Sequence, residues 1–457
     1  MTKQVEQADV IVLGMGPGSE DVAGRLALAK LDVIGIDGRL LGGECPYWGC
    51  IPSKIMVRSS DLVAEARRGA DMTGSVTDRP DWQPVVGRVR EATDGWDDGV
   101  AVHRFGGKGG RLRRGAGRLD GPGRVVVDDL TFVARRAVVL ATGSRPTIPP
   151  IPGLDDTPYW TNREAVMSDR VPESLIVLGG GAVGLELAQV FRRFGAEVTV
   201  LDTAPRLLIG EEPETGDLIA EVLESEGIAV RLEVGVSSVY HDGTRFILVL
   251  DGGEALGAQR LLVATGRHAD LAALHLSSIG VDEELRAVPV DDRLRVPGVD
   301  ATWAVGDLTG KGAFTHTAMY QADLAVRDIL GQTAPPADYR AMPRVTFTDP
   351  EIGAVGLTER AARDAGLSVH VGATDLSASA RGWIHGAGQG LIKLVADTDR
   401  RVLVGATSIG PDGGEVLGLL ALAVHAAVPV PTLADMIFAY PTFHRAIQEA
   451  VRDLALA

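Results

Sequence analysis

The stretch VIVLGMGPGSEDVAGRLALAKLDVIGID, residues 10–37, decides the fold, and residues 175–202, LIVLGGGAVGLELAQVFRRFGAEVTVLD, repeat its pattern. Each reads as an apolar strand, a glycine turn, an amphipathic helix, a second strand and a terminal Asp. Each spans about 28 residues, the size of one βαβ dinucleotide-binding unit. A single GxGxxG is weak evidence, whereas two with this full context in one chain are strong.

In the first unit Gly14 makes the tight turn and Gly16, with Gly18 close by, lets the backbone approach a pyrophosphate. The helix N-terminus supplies donors and a partial positive charge. Ser19 stands at the third glycine position, so the packing there must admit a hydroxymethyl group. Asp37 ends the second strand, where a carboxylate accepts hydrogen bonds from an adenosine ribose. In the second unit Gly179, Gly181 and Gly184 are all present and Asp202 takes the acidic position. A carboxylate there favours a free 2′-hydroxyl and repels a 2′-phosphate, so NADH is expected over NADPH. Arg206, four residues on, argues the other way.

Around these units lies a chain of 457 residues with 45 Lys+Arg against 61 Asp+Glu, a net charge of −16. That balance opposes nucleic acid and anionic membranes as partners. No run of about 18 apolar residues exists; the nearest, Leu417 to Val430, is broken by Gly418, His425 and Pro429 and reads as a buried helix. The N-terminus lacks the apolar stretch of a signal peptide, so a cytoplasmic protein is expected. The Arg- and Gly-rich segment Arg104–Arg118 reads as a solvated hairpin, continued by the turn Gly121–Pro122–Gly123 into a strand Arg124–Val127. Pro146, Pro149, Pro150, Pro152 and Gly153 form a stiff linker, and a second Pro/Gly-containing stretch runs from Asp291 to Asp300. The expected fold is α/β: two Rossmann-like dinucleotide-binding domains and a C-terminal α+β domain. The first domain is placed at 1–150 and 272–332, the second at 151–271, and the third at 333–457.

Only two cysteines occur, Cys45 and Cys50. Two thiols exclude a disulfide-stapled secreted fold and zinc sites of three or four thiolates, and no metal site is expected. Both lie in GGECPYWGCIPSK, residues 42–54, just after Asp37. Residues five apart on a regular helix are about 8 Å apart, beyond disulfide reach. Bridging them needs a distorted turn, which Pro46 and Gly49 suit. A strained local bridge is easily reduced, which suits catalysis better than stabilisation.

This loop, with Ala141-Thr142-Gly143, Thr265-Gly266-Arg267, Ala304-Val305-Gly306-Asp307 and Phe347-Thr348-Asp349-Pro350-Glu351, resembles the pyridine nucleotide–disulfide oxidoreductases over essentially the whole chain. That group holds dihydrolipoyl dehydrogenase, glutathione reductase and mercuric reductase. The resemblance implies FAD in the first unit, with Gly43, Ala141, Thr142, Gly143, Gly306 and Asp307 around it. It implies the nicotinamide cofactor in the second, with Gly266 and Arg267 nearby. It further implies a redox-active Cys45–Cys50 disulfide, Cys50 facing the flavin and Cys45 meeting a small-molecule electron acceptor. Lys54 would lie near flavin N5, paired with Glu186. The C-terminal domain would form a homodimer, each subunit's C-terminal segment completing the other's site.

The pattern breaks near the C-terminus. Disulfide-reducing members carry His-Pro-Thr-x-x-Glu, and this chain reads Tyr440-Pro441-Thr442-Phe443-His444-Arg445. A phenol is a poor base at neutral pH, though it donates hydrogen bonds; His444 is the other candidate for the acid–base role. Glu44 stands where Thr is common. The break lowers glutathione-, mycothiol- and lipoamide-type substrates. Mercuric reductase needs a second thiol pair, and none is left. The expected enzyme passes electrons from NAD(P)H through FAD and the disulfide to a small disulfide, quinone or metal ion. The alternatives are a flavin-only quinone or metal-ion reductase with idle cysteines, a small-dithiol oxidase running in reverse, and a non-catalytic redox sensor.

Overall fold

The computed structural model describes residues 4–74 and 79–454; the first three residues of the N-terminus read above and the last three of the C-terminal domain lie outside it. The chain forms two compact units. The first comprises Met1–Pro52, Gly87–Thr147 and Arg267–Asp338, the second Ser53–Val86, Ile148–Gly266 and Tyr339–Ala457.

The first unit is built on a mixed sheet of β1 (Gln4–Leu13), β2 (Val33–Asp37), β3 (Arg111–Arg114), β4 (Gly117–Leu119), β5 (Arg124–Val127) and β6 (Leu130–Leu140). Their order is β3-β2-β1-β6-β5-β4, with Thr302–Ala304 paired to the C-terminal half of β6. The centre is parallel, β1 lying between β2 and β6. Parallel strands are covered on both faces, hence the unbroken apolar run at Val10–Leu13. Val10 and Val12 pack with α1 (Pro17–Leu28) and the helix Thr315–Ile329. Ile11 and Leu13 face the opposite way, toward β4, β5 and the Leu271–Leu308 segment.

The expected hairpin over Arg104–Arg118 is not formed. The helix Gly99–Gly107 returns the chain so that β3 pairs parallel with β2 at one edge, while β4 lies at the other edge. A parallel neighbour requires a crossover and cannot come from a tight turn. The turn at Gly121–Gly123 does join an antiparallel pair, β4 with β5. Three arginines of this segment are ion-paired within the unit, Arg104 to Glu20, Arg111 to Asp32 and Arg114 to Asp98.

In the second unit β7 (Ser174–Leu178) and β8 (Glu197–Leu201) flank α4 (Ala182–Arg193) in the repeated βαβ unit, and Ala229–Arg231 and Arg260–Val263 complete a parallel sheet. A three-stranded antiparallel sheet, Val236–Ala258, shares its core. A separate five-stranded antiparallel sheet, running from Pro343–Thr346 to Val402–Gly410, packs against α5 (Gly413–His425) and α6 (His444–Asp453). The architecture is two dinucleotide-type α/β sheets and a C-terminal α+β layer, as expected. Among the described residues no helix is long and apolar enough to cross a membrane.

Candidate active site

Each glycine turn is held by a close approach that a side chain would block. A Cβ on Gly14 would lie 2.3 Å from the carbonyl oxygen of Ala141, and one on Gly179 would lie 2.4 Å from that of Ala264. Both residues have positive φ, +88° and +111°. Thus Ala141-Thr142-Gly143 and Ala264-Thr265-Gly266 each back one turn, a second sign that the units are repeats. Gly16 caps α1 and Gly181 caps α4, and neither helix start has a side-chain cap. No atom lies within 4 Å of where a Cβ would stand on either glycine. Open space before uncapped first-turn amides fits a dinucleotide pyrophosphate.

Ser19 is admitted because its hydroxyl donates to Gly16 O at 3.0 Å. The tight helix contact falls at Gly18 instead, where a Cβ would lie 2.7 Å from the backbone of Ala318. A Cβ on Gly43 would lie 2.8 Å from Gly16 Cα, so the cysteine loop crosses α1 at its start. A Cβ on Gly184 would lie 2.2 Å from Gly179 O.

The two strand-end carboxylates are oriented alike. Asp37 accepts from Met15 N and Arg39 N, each at 2.7 Å. Asp202 accepts from Gly180 N at 2.6 Å and Ala204 N at 2.8 Å. Arg206 is engaged by its own loop: its guanidinium donates to the carbonyls of Leu208, Ile209 and Glu211. In the first unit Asp307 accepts from the Ser144 hydroxyl at 2.5 Å, and Arg267 donates to Ser144 Oγ and O, both at 2.9 Å. Arg267 also lies 3.9 Å from the Glu44 carboxylate. Gly306 N donates to Gln321 at 2.6 Å, holding the turn that carries Asp307.

Cys45 sits in α2 (Glu44–Tyr47), and Cys50 opens α3 (Cys50–Thr73). The break at Trp48–Gly49 brings the sulfurs together as a helix would not: Cys45 and Cys50 are hydrogen-bonded thiols here. That hydrogen bond and burial push the Cys45 thiol up. Cys50 Sγ also lies 3.3 Å from the Thr315 hydroxyl. Thr315 and Ser144 were not singled out from sequence, since neither falls in a recognisable spacing.

Lys54, one turn into α3, donates to Glu186 at 2.6 Å and lies over the Phe347 ring at 4.7 Å. Glu186, 6% exposed, also accepts from Phe347 N at 2.9 Å, so both carboxylate oxygens are used. Tyr440 is 73% exposed. His444 begins α6 and lines a cavity of about 450 Å³ with Arg381, Asp412, Glu415 and Phe443. Among the described residues no cluster of three or more His, Cys, Asp or Glu has the form of a metal site.

Residues 8–322 match the family described as pyridine nucleotide-disulphide oxidoreductase, and residues 342–451 match its dimerisation domain. The dihydrolipoyl dehydrogenase of Chlorobaculum tepidum is 32% identical, with 98% of this chain and 97% of that protein aligned. The mercuric reductase of Shewanella putrefaciens is 33% identical over 96% of this chain and 80% of its own length. Among solved structures, the Cu(II) complex of the HOCl-induced flavoprotein disulfide reductase RclA from Escherichia coli superposes with a TM-score of 0.85. It is 26% identical, with 98% of this chain and 99% of that chain covered.

Proposed function

Because the chain belongs to the pyridine nucleotide-disulphide oxidoreductase family, we propose that it takes electrons from NADH and delivers them through Cys45 and Cys50 to a small acceptor. Its class is that of the FAD-dependent NAD(P)H oxidoreductases. We assign FAD to 1–150 with 272–332, NAD(P) to 151–271, and a homodimer interface to 333–457. Gly14, Gly16 and the start of α1 would hold the FAD pyrophosphate, Asp37 its ribose, and Asp307 its ribityl or pyrophosphate region. Gly179, Gly181, Gly184 and Asp202 would hold the nicotinamide cofactor. The preference for NADH is supported by the Asp202 carboxylate and by Arg206, whose guanidinium is occupied with backbone carbonyls.

The observation that carries this reading is the meeting of the only two cysteines across a broken helix. Bound FAD supplies the two-electron link between a dihydronicotinamide and a disulfide. Lys54, ion-paired with Glu186, places a positive charge one turn from Cys50 on α3. With a disulfide acceptor, the Cys45 thiolate attacks one sulfur and a thiolate leaves. The Cys50 thiolate then attacks Cys45 Sγ, closing the Cys45–Cys50 bridge and releasing the second thiolate, and each product takes up a proton. Cys45 must lose its own proton first, against the upward push of its surroundings.

That last requirement favours a second reading. With Tyr440 in place of the family's His, the base that Cys45 needs is weak, and quinones or metal ions could be reduced without the cysteines. The RclA structure was obtained as a Cu(II) complex, which keeps metal ions among the acceptors. Steady-state turnover of Cys45→Ser separates the readings: the first predicts loss of activity on small disulfides, and unchanged turnover with every acceptor would overturn it.

A further inference from the structure

Seven residues beyond Lys54 on α3 lies Asp61, and seven residues beyond Glu186 on α4 lies Arg193. Arg193 donates to Asp61 at 2.7 Å, just as Lys54 donates to Glu186 at 2.6 Å. Seven residues are two helical turns, about 10.5 Å. Two ion pairs at equal spacing mean that α3 and α4 run side by side in the same direction. The charges are crossed, base to acid and then acid to base. A slip of two turns would set Lys54 against Arg193, or Asp61 against Glu186, like charge against like.

The second pair is embedded in a larger cluster. Arg193 is 2% exposed and also grips Glu226 at 2.7 Å and Asp349 at 2.8 Å. Gln189, between Glu186 and Arg193 on the same face of α4, bonds Asp349 N and O, both at 2.8 Å. The residue 347–349 segment is therefore fastened along the same face that holds Lys54. The groups around Asp61 are Arg193 on α4, Asp349 on that segment, Glu226 through Arg193, and Arg58 on α3 itself, paired with Glu65. Arg68 supplies a second cation to Asp349 at 2.7 Å. Three carboxylates, Asp61, Glu226 and Asp349, thus share Arg193 and Arg68, one negative charge in surplus.

We propose that Asp61 is a positioning residue: through Arg193 it holds α4 in register along α3, and so keeps Glu186 against Lys54, and the hold loosens when Asp61 gives up its proton. Burial, with Asp349 adding to it, pushes the Asp61 carboxyl up to about 7. The lock would therefore change strength within the neutral range. The inference rests on the proposed function only for what Lys54 does; the lock itself is a property of the two helices.

The test is competitive acylation of the holoenzyme with labelled acetic anhydride, read by mass spectrometry as the ratio of Lys54 to the exposed Lys30. We expect the ratio at about pH 8.5 to exceed that at about pH 6 by about threefold, the low end of coupling within one salt-bridge network. Its midpoint should lie at about 7. Asp61→Asn should hold the ratio flat at the acid value, and Asp61→Glu should restore a step. A wild-type ratio without a step, a step that survives in Asp61→Asn, or an Asp61→Glu protein as flat as Asp61→Asn would each overturn the proposal. Should Asp61→Asn fail to fold, Arg193→Lys serves in its place and must raise the ratio at about pH 6. Because Lys54 acylation is read on the protein, the outcome stands whether or not Lys54 proves to matter for FAD.

Discussion

At Cys45 the hydrogen bond donated to Cys50 and burial both disfavour the thiolate, so the charge of the reduced pair belongs on Cys50. In visible spectra of the reduced variants, Cys45→Ser should keep a long-wavelength thiolate–flavin band and Cys50→Ser should lack it; the reverse pattern would exchange the two roles. Asp61 makes a prediction for stability. Its carboxyl is raised from 3.8 to about 7, so across that window the folded state holds more protons than the unfolded. Its contribution to stability is present at low pH and is lost as pH rises through about 7. Asp61→Asn removes that slope, and denaturant midpoints should show the variant gaining on the wild type as pH rises from about 5 to about 8. A difference that stays constant with pH would contradict the shift. Neither residue's chemistry was equally readable in sequence: the cysteines stand alone in one loop, whereas Asp61 meets a partner 132 positions away.

Among the elements, the contact of α1 with the helix Thr315–Ile329 depends on Gly18. A Cβ there meets Ala318 backbone at 2.7 Å. Gly18→Ala should cost about 1–3 kcal/mol, the range for overpacking, seen as a lower Tm and easier loss of FAD. A melting temperature unchanged from wild type would mean that the two helices part freely. At the start of α6, the changed segment Tyr440–Arg445 is held responsible for slow turnover of small disulfides. Tyr440→His with Arg445→Glu should raise turnover on them, and no change would acquit that segment. The glycine turns and their terminal acids were legible because each is a local βαβ unit, with its chemistry inside about 28 residues. The order β3-β2-β1-β6-β5-β4 was not, since β3 and β4 are close in sequence and at opposite edges. Only long-range pairing decides that, and the hairpin expected over Arg104–Arg118 failed for this reason.

For the whole molecule, family membership was readable from motifs scattered from Gly14 to Glu351, because together they span the chain from the first glycine turn to the C-terminal sheet. The acceptor was not, because the residues that would name it, Tyr440 and Arg445, depart from the family pattern. The central claim is that electrons reach the Cys45–Cys50 pair. Anaerobic titration of the FAD-loaded protein with NADH, and separately with NADPH, tests it most directly. The account predicts uptake of four electrons, two for FAD and two for the disulfide, with a long-wavelength thiolate–flavin band and with NADH the more effective. Two-electron uptake with simple bleaching of the flavin would contradict it.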